Sequence, residues 1–417
     1  MTKHTTVAKA NGSTGEKENN VPVVHNAKEL DKMKEEKVSR FRVEDASLWS
    51  KLSFKKHENL ERVNVAFNEG QRIDIPDSMF EGCTNLEALE FGTNVKVGKI
   101  GKKAFSGCEK LLFVSVDLNA GEYVHTIGDG AFEGCKHLLQ IPRIDLSKNE
   151  IRIGARAFKS CLKLLVVDMC GDNPQRPKLN LGREVFSECE SLTYVCFRNL
   201  EIKKIPDMAF FNCGRLETLR IEDSTLCEVG MEAFKNCELL KNVELKLTEK
   251  DISRVCIENK AFSTCKKLES VNVSVQNSQT YGQKHIIKIG ESAFEKCVLL
   301  KEFTLDIVCQ PTDFETIVFM PSAFNSESRS PFSRIGCNFI SSEAEDILPS
   351  GVQIYFCSHS LFDHKDALCM GGKLFDLFNG ATSDPDYQIE EIKKYDNFIF
   401  WNNAFVASIP GVGGGRQ

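Results

Sequence analysis

The chain has 417 residues, of which 41% are hydrophobic and 27% charged, and its formal net charge is -6 at pH 7. These values are typical of a folded protein, and because no long basic run occurs, they give no electrostatic footprint for nucleic acid. Residues Met1 to Val21 lack an apolar core, and no stretch of about 18 apolar residues and no lipidation motif occurs, so we expect no signal peptide, membrane insertion or lipid anchor.

The first elements precede any repeated motif. We predict that residues 1–25 are disordered and that residues 26–49 form a charged helical segment at the N-terminal end. The run Asn26-Ala27-Lys28-Glu29 has the spacing of a capping box, and Leu30 and Met33 follow it on one helix face. We expect this helix either to cover the first repeat or to stay as an exposed arm.

The central part of the chain repeats one motif, Ala-Phe-x-x-Cys-x-x-Leu, at intervals of 24 to 32 residues. Its phenylalanines are Phe80, Phe105, Phe132, Phe158, Phe186, Phe210, Phe234, Phe262 and Phe294. An atypical copy begins at Phe54, with His57 in place of the cysteine, and a copy without cysteine ends the series at Phe324. A motif with a period of about 20–50 residues predicts stacked repeats. We therefore predict a solenoid over residues 50–330, with about ten to eleven repeats.

The apolar spacing within a repeat predicts a helix and two extended segments. Four apolar residues of the motif lie at i, i+1, i+4 and i+7, which indicates one face of a short helix. Alternating apolar residues after the motif, such as Leu219 and Ile221, indicate a strand, and a second apolar pair before it, such as Val97 and Ile100, indicates another extended segment. Strands pair about 4.8 Å apart and helices need about 10 Å, so we expect a curved array with concave strands and convex helices.

Nine of the 17 cysteines occupy the same position in the repeat. On neighbouring helices about 10 Å apart, they would be too distant for a disulfide, which needs Cα atoms within about 7 Å, and for a shared zinc ion. We therefore predict buried free thiols that pack as small apolar groups. Together with the missing signal peptide, this favours a reducing, cytoplasmic compartment.

The consensus Ile-Gly-x-x-Ala-Phe-x-x-Cys-x-x-Leu-x-x-Val resembles the BspA-like leucine-rich repeat family, also called the Treponema pallidum type, over about residues 50–330. The resemblance implies an α/β leucine-rich-repeat solenoid. It also implies a binding function, since bacterial and protist members are often surface proteins that bind host matrix, bacteria or other cells.

The C-terminal part contains the one cluster of metal-ligand residue types outside the repeats. We predict that residues 331–405 cap the open end of the solenoid and that residues 406–417 form a flexible Gly-rich tail. The cluster consists of Cys357, His359, His364 and Cys369. Its spacing matches no zinc signature, so a metal site and a capping segment that happens to hold these residues both stay open.

The functional hypotheses come from two classes. No Ser-His-Asp order, Gly-x-Ser-x-Gly, Walker or His-Glu-x-x-His pattern occurs, so we expect no enzyme and no cofactor. We predict a scaffold that binds a protein partner of unknown identity through outward positions of the concave strands. These positions are Phe113, Ser115, Asp168, Tyr194, Arg220, Glu244, Asn272 and Thr304. A solvated strand face without a ligand is the alternative for this mixed set, and a surface-displayed or secreted adhesin that binds host or matrix ligands is the alternative function.

Overall fold

The computed structural model describes residues 21–67, 71–92, 95–115, 125–142, 144, 146, 150–171, 176–224, 226–249, 254–277, 284–309, 314–319, 323, 334–341, 353–357, 368–370 and 398–401. Within these residues the chain forms two helices, both before residue 50, and a long series of parallel strands. The elements in chain order are α1 (Ala27–Glu35), β1 (Arg40–Val43), α2 (Ala46–Trp49), β2 (Arg62–Val65), β3 (Gln71–Ile75), β4 (Ala88–Phe91), β5 (Val95–Ile100), β6 (Phe113–Ser115), β7 (Thr126–Ile127), β8 (Glu150–Ile153), β9 (Val166–Cys170), β10 (Lys178–Leu181), β11 (Tyr194–Arg198), β12 (Lys204–Ile205), β13 (Thr218–Ser224), β14 (Glu228–Val229), β15 (Asn242–Glu249), β16 (Arg254–Ile257), β17 (Ser270–Asn277), β18 (Lys284–Ile289), β19 (Glu302–Cys309), β20 (Phe314–Phe319), β21 (Arg334–Ser341), β22 (Gln353–Cys357), β23 (Leu368–Met370) and β24 (Phe398–Trp401).

The N-terminal segment packs against the solenoid and extends its first sheet. The Asn26 side chain caps α1 by accepting a hydrogen bond from the Glu29 N–H at 3.0 Å, while the Glu29 carboxylate accepts one from the His25 N–H at 3.0 Å. Leu30 is buried, and β1 pairs in parallel with β2. Of the two arrangements expected for this helix, the structure therefore has the one in which it is docked on the first repeat.

Strands that follow the motif leucine form one face, and strands that precede the motif form a second face. The first face consists of a four-stranded sheet, β1-β2-β4-β6, and an eight-stranded sheet that runs from β9 to β23. The second consists of a five-stranded sheet, β3-β5-β7-β8-β10, and a seven-stranded sheet that runs from β12 to β24. All pairings among the described strands are parallel, such as β15 with β17. The predicted second extended segment of the repeat is thus confirmed in the described strands.

The first face divides between β6 and β9. The intervening repeat carries Pro142 ten residues after its motif phenylalanine, at the position that Asp168 occupies in β9. Proline has no N–H to donate to a strand ladder. The local sequence therefore explains why this face consists of two sheets.

The predicted short helices of the repeats are wrong, because the described motif segments form successive turns. The Cys108 N–H donates to the carbonyl of Phe105, three residues earlier, at 3.0 Å. Lys103 and Gly107 take left-handed conformations with φ of 54° and 75°, which interrupt any helix. The turns also pair with the next repeat, where the Phe105 N–H donates to the Ala131 carbonyl at 2.7 Å. The motif segments are thus spaced like neighbouring strands. The predicted curvature depended on helices that are wider than strands, and the described repeats contain no such helices.

The motif phenylalanines stack face to face through the solenoid. From Phe54 to Phe294, consecutive ring centroids lie 5.0 to 5.4 Å apart with interplanar angles of 3° to 13°. The rings between these two ends are fully buried. Since each interior ring contacts a ring on both sides, the stack links the repeats into one continuous core.

The nine motif cysteines are buried free thiols, as predicted, although the reason given for this was wrong. The backbones of neighbouring motif segments are directly hydrogen-bonded to each other, so these segments are closer than the separation expected for neighbouring helices. Each thiol donates to the carbonyl of the phenylalanine in the preceding repeat, at sulfur-to-oxygen distances from 2.9 Å for Cys83 to 3.3 Å for Cys161. Burial raises the pKa of Cys83 to about 12 and that of Cys161 further. Cysteine therefore supplies a small, neutral hydrogen-bond donor inside the core.

His57 stands at the cysteine position in the first repeat. Its ring is buried, lies edge-on to Phe41 with centroids 5.4 Å apart, and has an Nε2 atom without a hydrogen-bond partner among the described residues. Burial lowers the pKa of His57 from its ordinary value of 6.5, and the positive charge of Lys34 lowers it further. The neutral imidazole is therefore the form that this end of the core accommodates.

Glycine before the motif permits close contact between repeats. A Cβ atom on Gly154 would lie 2.5 Å from the backbone nitrogen of Asp129 in the preceding repeat. The Asp129 carboxylate in turn accepts a hydrogen bond from the Ala155 N–H at 2.9 Å. A side chain at residue 154 would therefore occupy space that the backbone of the neighbouring repeat already fills.

Candidate functional site

The structure brings five of the predicted site residues into one row of the eight-stranded sheet. Each lies ten residues after its motif phenylalanine, so the parallel register aligns them across neighbouring strands. We call this set the central row, and with Cys196 included it consists of Asp168, Cys196, Arg220, Glu244, Asn272 and Thr304. Residues on either side of the row point into the core, as Val243 and Leu245 do on β15.

Most of the central row is accessible to a partner. Asp168, Arg220, Glu244 and Asn272 are exposed, and Thr304 is half-buried. Cys196 is fully buried, which makes it the exception in the row. The row therefore presents acidic, basic and amide groups in succession.

Tyr194 lies beside the central row, at the start of β11. It is half-buried and pairs in register with Val166 and Thr218. Burial raises the pKa of the Tyr194 phenol to about 12, with further contributions from Cys196 and from the negative charge of Asp168. Tyr194 is thus a neutral phenol at neutral pH, with an apolar ring and one polar atom available to a partner.

Phe113 and Ser115 lie apart from the other six residues. Both belong to β6 in the four-stranded sheet, whereas the other six belong to the eight-stranded sheet. Phe113 is half-buried, and Ser115 pairs with Glu90. The predicted site is therefore divided by the break at Pro142 and is not one continuous surface.

Ion pairs connect neighbouring strands on this face. The Arg198 guanidinium on β11 lies 3.1 Å from the Glu222 carboxylate on β13, and Arg220, on the same strand as Glu222, lies 3.8 Å from it. At the other end of the face, Arg62 lies 3.3 Å from Glu90. Because positive and negative side chains alternate, neither sign of charge dominates this face.

Sequence reasoning missed an exposed apolar group near the sheet break. Leu112, Leu139, Leu165 and Val166 expose 37%, 49%, 50% and 44% of their surface. The three leucines lie seven residues after their motif phenylalanines. In the other repeats from Phe54 to Phe294 this position holds polar residues: Glu61, Glu87, Thr193, Glu217, Lys241, Glu269 and Lys301. Alignment of the repeats at this position would have revealed the leucines.

The predicted metal-ligand cluster lies largely outside the described residues. Cys357 ends β22 and Cys369 lies in β23, and these strands belong to different sheets, while His359 and His364 fall in a segment that is not described. Among the described residues, no group of three or more His, Cys, Asp or Glu side chains is arranged to hold a metal ion.

The described helices, α1 and α2, contain 9 and 4 residues. Within the described ranges, neither helix has the length and apolar character needed to cross a membrane.

The parallel strands and stacked motif layers define a repeat solenoid of the leucine-rich-repeat type. A model of the BspA type leucine-rich repeat region matches residues 50–175 and 179–324, which together make up more than half of the chain. The chain belongs to this family, which confirms the resemblance drawn from the motif.

Solved structures of other leucine-rich-repeat proteins are distantly similar. A leucine-rich repeat protein from Bacteroides ovatus is 16% identical with a TM-score of 0.28, and the match covers 73% of this chain and 84% of that protein. A leucine rich cell surface protein from Faecalibacterium prausnitzii is 16% identical with a TM-score of 0.27, covering 74% and 84%. The plant peptide hormone receptor RGFR1 in complex with RGF2 is 12% identical with a TM-score of 0.30, covering 75% and 55%. Such low values carry no functional argument.

Proposed function

We propose that the protein is a non-enzymatic scaffold that binds a protein partner through the first sheet face, with Tyr194 and the accessible residues of the central row as the binding residues. The observation that carries the proposal is the central row itself, in which evenly spaced side chains project from a rigid parallel sheet. A sheet held by a continuous core presents its side chains with little ordering cost on binding. Tyrosine and arginine are enriched among residues that dominate interface energies, which favours Tyr194 and Arg220 as anchors.

The experiment begins with affinity capture of partners from the native cell, identified by mass spectrometry. A Tyr194→Ala, Arg220→Glu double variant should weaken the captured partner at least tenfold, because both anchors are lost. The Arg220→Glu substitution should change the melting temperature little, since Arg220 is exposed and its ion pair with Glu222 is solvent-accessible.

A matched control separates this face from the rest of the solenoid. Arg152 lies on β8 of the second face, is exposed, and forms an ion pair with Glu150 at 2.9 Å. Arg152→Glu makes the same charge reversal as Arg220→Glu and should leave binding unchanged. Normal partner binding by the double variant would contradict the proposal.

We also propose a cytoplasmic location, in preference to the adhesin hypothesis. The support is chemical: the nine motif cysteines and Cys196 are free thiols, and free thiols are typical of reducing compartments. Cell fractionation tests this directly. An exported pool carrying oxidised thiols would favour the adhesin.

A further inference from the structure

The three leucines identified above form a continuous line across consecutive repeats, which we call the leucine strip: Leu112, Leu139 and Leu165. The Leu139 N–H donates to the Leu112 carbonyl at 3.1 Å, so these two backbones lie side by side. The Lys163 N–H donates to the Lys136 carbonyl at 3.1 Å, which places the repeat of Leu165 next in line. The exposed Val166 adjoins the strip on β9. Exposed apolar surface that spans several repeats and has a polar rim marks an interaction site.

A row of basic residues runs beside the leucine strip in the same three repeats. We call it the basic row: Lys110, His137 and Lys163, each two residues before the corresponding leucine. All three are exposed, and neither lysine forms an ion pair within the described part of the chain. The His137 Nδ1 atom lies 2.9 Å from the Glu109 carbonyl, to which it donates.

The acidic residue that directly precedes Lys110 does not neutralise it. Glu109 is already paired with Lys136 at 2.9 Å. Asn85 and Ser191 occupy the equivalent positions in the repeats before and after, so the basic row ends where the leucine strip ends. The apolar line of leucines therefore runs beside a line that carries a lysine at each end, along the solenoid axis for three repeats.

The spacing of the repeats matches one turn of an α-helix. In these three repeats, motif rings lie 5.0 Å apart between Phe105 and Phe132 and 5.2 Å apart between Phe132 and Phe158. An α-helix has a pitch of about 5.4 Å, whereas side chains on one face of an extended strand recur about every 6.7 Å. A helix laid along the solenoid axis would thus present one apolar residue to each leucine.

We propose that the leucine strip and the basic row together bind an amphipathic helix of a partner protein, with an apolar stripe at i, i+3/i+4 and i+7 spacing and an acidic stripe beside it. Three repeats accommodate about three turns, or roughly 11 residues of helix. The apolar stripe buries the three leucines, and the acidic stripe faces Lys110 and Lys163. This surface uses residues other than the central row and does not require the central row to bind anything.

A designed probe tests the proposal without knowledge of the natural partner. The probe is a fluorescein-labelled 14-residue peptide with Leu at positions 2, 5, 9 and 12, Glu on the adjacent helix face, and Ala elsewhere, and its binding to the full chain is measured by fluorescence anisotropy. We expect saturable binding that weakens as the salt concentration rises. A peptide with Lys in place of Glu should bind at least tenfold more weakly.

Matched substitutions in the protein locate the site. Leu139→Glu should weaken the probe at least tenfold, and so should Lys110→Glu combined with Lys163→Glu. Leu239→Glu is the control, because Leu239 is also exposed, at 37%, but lies outside the leucine strip. Thermal melting of each variant verifies folding. Equal binding to the wild type and to Leu139→Glu would overturn the proposal, as would the absence of saturable binding.

Analytical sedimentation of the wild type measures its oligomeric state and so tests the alternative that the leucine strip binds a second copy of this chain. A dimer that Leu139→Glu dissociates would show that the strip is a self-interface and would overturn the peptide proposal. The peptide-binding and sedimentation results do not test the proposed scaffold function. That proposal is contradicted only if the captured partner binds normally to the Tyr194→Ala, Arg220→Glu variant.

Discussion

Truncation of a phenylalanine in the middle of the stack should destabilise the protein strongly. Phe186 is fully buried, and its ring lies 5.3 Å from Phe158 and 5.4 Å from Phe210, nearly parallel to both. Phe186→Ala removes both ring contacts and leaves a cavity between two repeats. Such truncations cost about 3–5 kcal/mol, of which two aromatic contacts account for about 1–3 kcal/mol.

The assay is equilibrium unfolding in denaturant, followed by circular dichroism, with the midpoint and slope compared between variants. Phe211→Ala is the matched control, because Phe211 adjoins a stack residue but is only half-buried and contacts the Lys235 ammonium 5.8 Å from its ring centroid. Loss of that cation–π contact should cost about 0.5–1 kcal/mol. A cost below about 1 kcal/mol for Phe186→Ala, or equal costs for the two variants, would refute the stacking argument.

Three further predictions follow from the close contacts of the core. Gly154→Ala should lower the free energy of unfolding by more than about 2 kcal/mol, because its Cβ atom would meet the backbone of the preceding repeat. Gly214→Ala is the control and should be nearly neutral, because no atom lies within 4 Å of the added Cβ. A similar loss of stability in both variants would contradict this reasoning. Alkylation of Cys161 and Cys213 at pH 8 should be slow in the native protein and fast in denaturant, because the thiols are buried and bonded to carbonyls; rapid native labelling would disprove it. The free energy of unfolding should fall as the pH is lowered through 6.5, because His57 is protonated more readily in the unfolded state than in the folded state. In denaturant titrations at pH 5 to 8, His57→Leu should remove this part of the pH dependence. An unchanged pH profile in this variant would exclude His57 as its source.

The repeated motif was sufficient to predict the architecture of the solenoid and much of its core. The fixed spacing of phenylalanine, cysteine and leucine identified which residues are buried, because a position that recurs in every repeat meets its own copy in the next one. The alternation around Leu219 and Ile221 likewise predicted the strand and its outward residues, since the side-chain period of a strand is two. The domain boundaries, the number of repeats and the binding roles of the outward residues stay predictions.

The error about helices has a definite physical cause. The spacing i, i+1, i+4 and i+7 marks one side of the chain both in a helix and in a series of tight turns. The two alternatives differ in their hydrogen bonds, and here the Phe105 N–H bonds to Ala131 in the next repeat and not within its own segment. Contacts between repeats thus determine the local conformation, and a single repeat read by itself does not contain them.

The chain by itself determined the periodicity, the buried positions and the free thiols, because these depend on residue type and spacing within each repeat. Only the tertiary structure decided which predicted site residues share a surface. Pro142 separates Phe113 and Ser115 from the central row, and Cys196 is buried within that row. Whether a residue is exposed depends on the repeats that stack on both sides of it, and those neighbours lie some 24 to 32 residues away in sequence.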